Sequence, residues 1–198
     1  MVAPVSAGVD SAAPARRLPR AERREQILGA ATRAFARGGY ASTALDDVAT
    51  EAGITHVIVY RHFASKSELY RAVLDRACQR LDETVGTGEY DADAIPALLR
   101  AAAADPDGFR LLFRHAAREP EFGDVIDQIR SSGTQIADRH LSDEIPAGPW
   151  RDWAAHLIPI VVLEAVIAWL DAGQPDADLA AARISAAINA IIKATTQP

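Results

Sequence analysis

The sequence predicts an all-α protein of about nine helices. Apolar residues recur at helical spacing along nearly the whole chain, and no segment shows the alternation expected of a β-strand. Alanine-rich runs favour helix, and glycine or proline residues divide the pattern into segments of helical length. The predicted helices cover residues 21–37, two short segments within 43–63, then 65–84, 92–104, 106–118, 121–141, 150–172 and 176–195.

Residues 43–66, TALDDVATEAGITHVIVYRHFASK, contain two short predicted helices. Leu45, Val48 and Ala52 fall on one face of the first helix. Thr43 is the expected N-cap, and Asp46 three residues later completes a capping-box pattern.

A glycine turn joins these two helices. Gly53 is expected to end the first helix in a left-handed conformation, and Thr55 is expected to cap the second. Val59 and Phe63 then face inward, away from Tyr60 and its basic neighbours. Two short helices joined in this way predict a helix-turn-helix, which lays its second helix in the DNA major groove.

The segment and the helix before it resemble the TetR (tetracycline-repressor-like) family of bacterial transcriptional regulators. The resemblance covers roughly residues 20–75. The matching residues are Ile27 to Tyr40, Thr43, Asp47, Val48, Ala49, Ala52, Gly53, Ile54, Thr55, Tyr60, Arg61, His62, Phe63, Lys66 and Leu69. The resemblance implies a helix-turn-helix domain of three helices, a larger helical ligand-binding and dimerisation domain, and a homodimer joined by the last two helices.

Three domains are expected: an N-terminal tail at 1–19, a DNA-binding domain at 20–66 and a ligand-binding and dimerisation domain at 67–198. The tail is rich in alanine and proline, which predicts disorder; Arg16, Arg17 and Arg20 are either a solvated tail or an arm along DNA. Residues 16–66 hold nine Lys or Arg against five Asp or Glu, a net charge of +4. Residues 67–198 hold twelve against twenty-one, a net charge of −9. This asymmetry predicts phosphate binding at one end of the protein.

Phosphate contacts are predicted for Thr43, Tyr60 and Lys66, and the resemblance adds His62. A tyrosine hydroxyl and a lysine near a helix start suit phosphate oxygens. For Tyr60 and His62, packing between helices is the alternative role.

Base contacts are predicted at the exposed start and flank of the second helix. The residues are Thr55, His56, Val57, Ile58 and Arg61. Arg61 could bind phosphate instead. The family often has a small residue where this chain has Val57, so the depth of docking is open; the methyl groups of Val57 and Ile58 suit thymine. The expected partner is a near-palindromic double-stranded DNA operator.

The resemblance implies a pocket for a small-molecule effector within residues 85–172. Its candidate lining residues are Phe109, Phe113, Arg114, His115, Trp153, His156, Glu164 and Trp169. Glu164 lies in an apolar helix, where a carboxylate needs a partner, so it either meets a ligand or is satisfied by another helix or by solvent. The helices at 150–172 and 176–195 are apolar enough to predict self-association.

Several other expectations complete the analysis. No catalytic residues, metal or cofactor are predicted, because phosphate loops, nucleophile elbows and zinc motifs do not occur in the sequence. Cys78 is expected to be a small core residue, with a redox sensor as the alternative. No stretch is judged long and apolar enough to span a membrane, and a secretory signal is not recognised, which predicts a cytoplasmic protein. The expected function is a repressor released from DNA by an effector; the alternatives are an effector-independent DNA-binding or scaffold dimer and, least favoured, a helical enzyme.

Overall fold

The computed structural model describes residues 18–86 and 93–196, and their regular secondary structure is helical throughout. Nine α-helices, α1–α9, span Arg20–Ser42, Leu45–Ala52, His56–His62, Lys66–Val85, Ala94–Ala104, Pro106–Arg110, Gly123–Leu141, Pro149–Asp171 and Ala177–Thr196. A π-helical turn, Leu111–His115, and two 3-10 turns, Ala116–Arg118 and Pro120–Phe122, connect α6 to α7. The all-α prediction is confirmed. Residues 1–17 of the predicted tail lie outside the described residues, as do residues 87–92, between the predicted helix at 65–84 and the second residue of the one at 92–104.

Helix α1 is longer than predicted. The apolar residues at helical spacing in this segment form its buried side, with Ile27, Leu28 and Phe35 buried. The predicted end of the helix at residue 37, before Gly38 and Gly39, is wrong. Gly39 interrupts the helix at φ 73°, ψ 172°, a conformation that favours glycine, but a further turn continues to Ser42.

The glycine turn of the helix-turn-helix forms as predicted. Gly53 adopts the left-handed conformation (φ 65°, ψ 34°), and its N–H donates to the carbonyls of Ala49 and Thr50 at the end of α2. On α3, Val59 and Phe63 are buried, as their spacing predicts.

The predicted capping of α2 by Thr43 and Asp46 is wrong by one residue. Ala44 is the N-cap, and its backbone N–H donates to the carboxylate of Asp47 at 2.7 Å. Thr55 does occupy the N-cap position of α3, although its side chain makes no capping hydrogen bond. Its backbone carbonyl instead accepts from the N–H of Ile58 at 2.9 Å.

The largest core joins the N-terminal helices to the body of the protein. Side chains of α1–α4 pack together with Leu111, Leu112 and Phe122 from the segment that follows α6. Leu69 and Tyr70 of α4 belong to this core, so α4 packs against the N-terminal helices and the body of the protein together. A displacement of α4 would therefore reach both.

A second core lies between α5, α8 and α9. It contains Leu99 of α5, Val166 and Ile167 of α8, and Ile184 of α9. Contrary to the sequence-based expectation, α8 is by length and composition apolar enough to cross a membrane. Its packing accounts for part of this composition, because Val162, Val166 and Ile167 lie in the second core, while 39% of its most apolar stretch is buried.

Candidate nucleic-acid interface

Helix α3 has one buried and one exposed face. Val59 is fully buried and Ile58 is half-buried against the N-terminal core. On the other face His56 and Arg61 are exposed, and Val57 and Tyr60 have relative exposures of 48% and 54%. Thr55 is exposed as well. Of the seven positions from Thr55 to His62 that are predicted to contact DNA, five are therefore exposed, including Tyr60, and Ile58 and His62 are half-buried.

The N-terminal end of α1 adds positive charge beside α3. His62 is half-buried, and its pKa is lowered by burial first and then by Arg20, Arg24 and Arg23. The guanidinium of Arg24 lies 4.7 Å from the centre of the Phe63 ring. Sequence reasoning named Arg20 only as part of the tail and missed Arg23 and Arg24. Their signal was the 20, 23, 24 spacing, which places all three on one side of a helix.

Two contacts restrain the start of α3. The imidazole Nδ1 of His56 is 4.0 Å from the carboxylate of Asp46 on α2. Its ring also meets that of Tyr60 edge-on, with centres 6.4 Å apart. These contacts position His56 and Tyr60 on the exposed face without covering either one.

Thr43 has a structural role that the sequence did not reveal. It is 5% exposed, and its hydroxyl donates to the carbonyl of Gly39 at 2.8 Å. We therefore correct the predicted phosphate contact of this side chain: the hydroxyl is occupied by a carbonyl that the kink at Gly39 frees from the helix.

Lys66 connects the start of α4 to the end of α1. Its ammonium donates to the carbonyls of Tyr40 at 2.7 Å and Ala41 at 3.3 Å, and lies 4.4 Å from the centre of the Tyr40 ring. An ammonium has three N–H donors, so one remains for a phosphate.

An aromatic cluster follows Lys66 at the junction of α1, α4 and the turn before α7. The Tyr70 ring centre lies 4.9 Å from that of Phe35, 4.8 Å from Tyr40 and 4.6 Å from Phe122. The Tyr70 hydroxyl is buried and has no hydrogen-bond partner among the described residues. Burial, followed by Glu119 and Tyr40, raises the pKa of Tyr70.

Polar contacts at the edge of this cluster bind α4 to the start of α7. The Arg71 guanidinium pairs with Asp124 at 2.8 Å and lies 5.4 Å from the Phe122 ring centre. The Ser67 hydroxyl bonds the carboxylate of Glu121. The Arg71 guanidinium holds the pKa of Asp124 below its usual value.

A cavity of about 1560 Å³ extends between α4, α5, α7, α8 and α9. Three of the eight predicted pocket residues line it: Phe113, His156 and Glu164. Arg71 and Asp124 also line it, so the contact between α4 and α7 forms part of the cavity wall.

The other five predicted pocket residues lie elsewhere. Phe109 packs in the second core, and Trp169 is 8% exposed there and donates its indole N–H to the Pro175 carbonyl at 2.6 Å. Arg114 pairs with Asp171 at 2.8 Å. Trp153 is exposed and lies beside Trp150, and His115 lies beside Gly39 of α1. Of the four aromatic residues proposed for the pocket from the resemblance, Phe109 and Trp169 fill a core, Trp153 lies on the surface and Phe113 lines the cavity.

Cys78 is partly buried and lines the cavity. Burial, together with Asp82 and Asp75, raises the pKa of its thiol to about 11. Because the thiolate is the reactive species, this environment does not favour the redox-sensor alternative.

One side of α8 carries an exposed stripe at the edge of the cavity. Ile160 is 56% exposed, and His156, Glu164 and Ala168 follow its spacing along the helix. His156, Ile160 and Glu164 also line the cavity. Beside it, α9 exposes small residues such as Ala186 and Ala190. Small side chains allow close approach of another helix, so this surface suits helix packing.

A basic helix-turn-helix joined through a shared core to a helical body with a large cavity defines a class: two-part, all-helical proteins with an N-terminal helix-turn-helix. Residues 27–73 match the family model of bacterial regulatory proteins, tetR family. A TetR-like transcriptional regulator from Rhodococcus sp. RHA1 shares the fold, with a TM-score of 0.76 and 23% identity over 87% of this chain and 96% of that one. The resemblance to the TetR family is confirmed: residues 27–73 form the family's N-terminal domain, on a chain with the fold of its solved members.

The relatives with named roles match about half of this chain. The HTH-type transcriptional activator FasR from Mycolicibacterium smegmatis is 37% identical over 107 residues, 50% of this chain and 49% of the relative. An HTH-type transcriptional repressor from Mycobacterium tuberculosis is 34% identical over 109 residues, 52% of this chain and 57% of the relative. The chain thus matches about half the length of these relatives.

Proposed function

We propose that this protein is a homodimeric, sequence-specific DNA-binding transcriptional regulator whose DNA affinity is changed by a small molecule. The observation that carries the proposal is the division of α3 into a buried face and an exposed face. His56, Val57, Tyr60 and Arg61 are accessible on a helix whose opposite side is fixed in the core. Such a helix presents side chains to base edges while its backbone is held rigid.

The contacts divide into base and phosphate groups. Thr55, His56, Val57 and Arg61 are proposed to meet base edges, with Ile58 at their margin. Tyr60 and Lys66 are proposed to bind phosphate, together with His62. A phosphate beside His62 would offset the repulsion from the neighbouring arginines that lowers its pKa.

A dimer is required because one module makes too few contacts for a specific site. The exposed stripe on α8, with the small residues of α9, is proposed as the dimer surface. A two-fold dimer would direct both α3 helices toward a near-palindromic operator, in the cytoplasm where the DNA is accessible.

The cavity is proposed to hold the effector. Its wall contains Arg71 and Asp124, whose ion pair joins α4 to α7. A ligand that favours a different separation of these helices would shift α4, and the shared core would carry that shift to α3. The FadR regulator of Bacillus subtilis, crystallised with stearoyl-CoA, has this fold with a TM-score of 0.61 and 18% identity over 87% of this chain and 97% of that one.

Repression is the proposed outcome, although relatives are named both as activators and as repressors. An effector-independent DNA-binding or scaffold dimer is the second candidate; the large cavity favours the ligand-regulated form. The family match supports a regulator and gives the enzyme hypothesis no support.

The test is a mobility-shift titration of pooled genomic fragments with the wild-type protein and with Ile160→Glu. The exposed position of Ile160 lets the variant fold, while a carboxylate there opposes self-association. Ile160 also lines the cavity, so the titration is carried out without added effector. Wild type is expected to sediment as a dimer and to retard a subset of fragments. The variant is expected to be a folded monomer that retards none. A folded monomeric variant with wild-type DNA binding would contradict the homodimer, and no retardation by wild type would contradict the DNA role.

A further inference from the structure

The cavity is aliphatic on most of its walls. Helices α5, α7, α8 and α9 contribute thirteen Ile, Leu and Val side chains to its lining, and α7 adds polar ones such as Gln128, Ser132 and Thr134. Phe113 is the one Phe, Tyr or Trp among its described lining residues. An aliphatic surface favours a hydrocarbon over a stacked aromatic ligand, because aromatic rings bind best against other rings.

The α4 wall is different. Arg71, Asp75, Gln79, Asp82 and Glu83 line the cavity from this helix, at spacings that place them along one face. Arg71 is already paired with Asp124. Asp75 and Asp82 form no ion pair within the described residues. After burial, their charges are the next causes that raise the pKa of the Cys78 thiol, which lies between them on α4.

The charge of the whole lining is acidic. Six carboxylates line the cavity against two guanidinium groups, and no lysine is among the described lining residues. A negative potential beside an aliphatic surface attracts a cation and repels an anion. A polyanionic ligand such as an acyl-CoA would need cationic partners that this wall does not supply.

We infer that the cavity binds a lipophilic cation, an aliphatic chain or ring system that carries an amine or quaternary ammonium group. The hydrocarbon part lies against α5, α7, α8 and α9, and the charged group lies beside Asp75 and Asp82 of α4. The inference rests on the proposed ligand-regulated function for its biological meaning.

The position of these carboxylates explains how such a ligand would act. Asp75 and Asp82 are on the same helix as Lys66 and Tyr70, which contact α1. A cation bound between α4 and the aliphatic walls therefore attracts α4 electrostatically. This helix connects the cavity to the DNA-binding helices.

Three probes with the same chain length test the inference: decyltrimethylammonium, decanoate and 1-decanol. The two ionic probes are titrated calorimetrically below their critical micelle concentrations, and 1-decanol below its solubility limit. The cation is expected to bind at least about tenfold more tightly than decanoate. The carboxylates of the lining attract the ammonium group and repel the carboxylate of decanoate, and a small difference in electrostatic free energy is enough for a factor of ten. The double variant Asp75→Asn, Asp82→Asn is expected to lose at least about tenfold of the cation affinity while it retains decanol binding. Retained decanol binding shows that the cavity is intact.

The matched control is Asp143→Asn, which removes an exposed carboxylate from the turn after α7, outside the cavity lining. It is expected to bind all three probes as wild type does. Equal or tighter binding of decanoate, binding of none of the probes, or unchanged cation affinity in the double variant would overturn the inference. These titrations contain no DNA, so failure of the proposed DNA role would leave their outcome unaffected.

Discussion

Replacing Tyr70 by phenylalanine is expected to raise the free energy of unfolding by about 1–2 kcal/mol. The Tyr70 hydroxyl is buried without a hydrogen-bond partner among the described residues, while in the unfolded chain it bonds water. An unsatisfied buried group costs about 1–3 kcal/mol, and phenylalanine removes that cost without leaving a large void. The ring contacts with Phe35, Tyr40 and Phe122 are unchanged by the substitution.

The effect is measurable by urea denaturation or by heat. For a chain of this size, each kcal/mol shifts Tm by about 2–4 °C, so Tm should rise by about 2–8 °C. The matched control is Tyr60→Phe. The Tyr60 ring is exposed, so stability should change by less than about 0.5 kcal/mol while DNA affinity falls.

The two variants should also differ at high pH. Folding raises the pKa of Tyr70, so above about pH 10 the unfolded chain loses this proton before the folded protein does. The contribution of the protonated Tyr70 hydroxyl to the free energy of unfolding is therefore fully present below the pKa that this group has in the unfolded chain. It is lost as the pH rises above that value. Tyr70→Phe should reduce this loss, whereas Tyr60→Phe should not. A destabilised Tyr70→Phe protein would refute the reasoning, because it would show that the hydroxyl has a partner.

Three further predictions concern other parts of the junction and interface. Lys66→Met is expected to lower the unfolding free energy by about 1–2 kcal/mol, because it removes the hydrogen bonds to the carbonyls of Tyr40 and Ala41. It is also expected to reduce the slope of the logarithm of DNA affinity against the logarithm of salt concentration by about 0.9, which corresponds to one phosphate. Unchanged stability in urea titrations would contradict those bonds. Val57→Ala, which shortens the side chain and keeps a residue that favours helix, is expected to change the preferred DNA sequence more than the affinity for DNA in general. A uniform loss of affinity across all sites would count against a base contact. Burial, then Arg118 and Arg114, lowers the pKa of His115, so the unfolded chain gains this proton first and stability falls as pH drops below about 6.5. His115→Gln should weaken that dependence in denaturation at about pH 7 and 5, and an identical pH dependence would refute it.

The helix-turn-helix could be predicted from the sequence because its signals are local. Gly53 needs a left-handed conformation, and the spacing of Val59 and Phe63 marks the buried side of α3. Local signals also misplaced one detail. Thr43 resembles an N-cap, but the kink at Gly39 brings a free carbonyl to its hydroxyl, and the backbone of Ala44 bonds Asp47 instead.

The cavity lining could not be predicted in the same way, because it depends on how distant helices meet. Trp169 and Phe109 are as apolar as true lining residues, yet they pack in the second core. Arg114 is satisfied by Asp171, a pairing across 57 residues of sequence. The carboxylates of α4 also gave no signal, since a stripe such as Asp75 and Asp82 looks like any solvated helix face. Both side chains are exposed in the structure, and only the placement of distant helices shows that they border the cavity.

The central claim is that the exposed face of α3 selects DNA sequence. The most direct test is sequencing of genomic fragments retained by the purified wild-type protein and, in parallel, by Arg61→Ala. Wild type should enrich a near-palindromic site with two half-sites about one helical turn apart or a multiple of it, and the variant should lose preference at specific positions within each half-site. Absence of an enriched sequence from a folded, dimeric wild-type protein, or an identical site for both proteins, would contradict the claim.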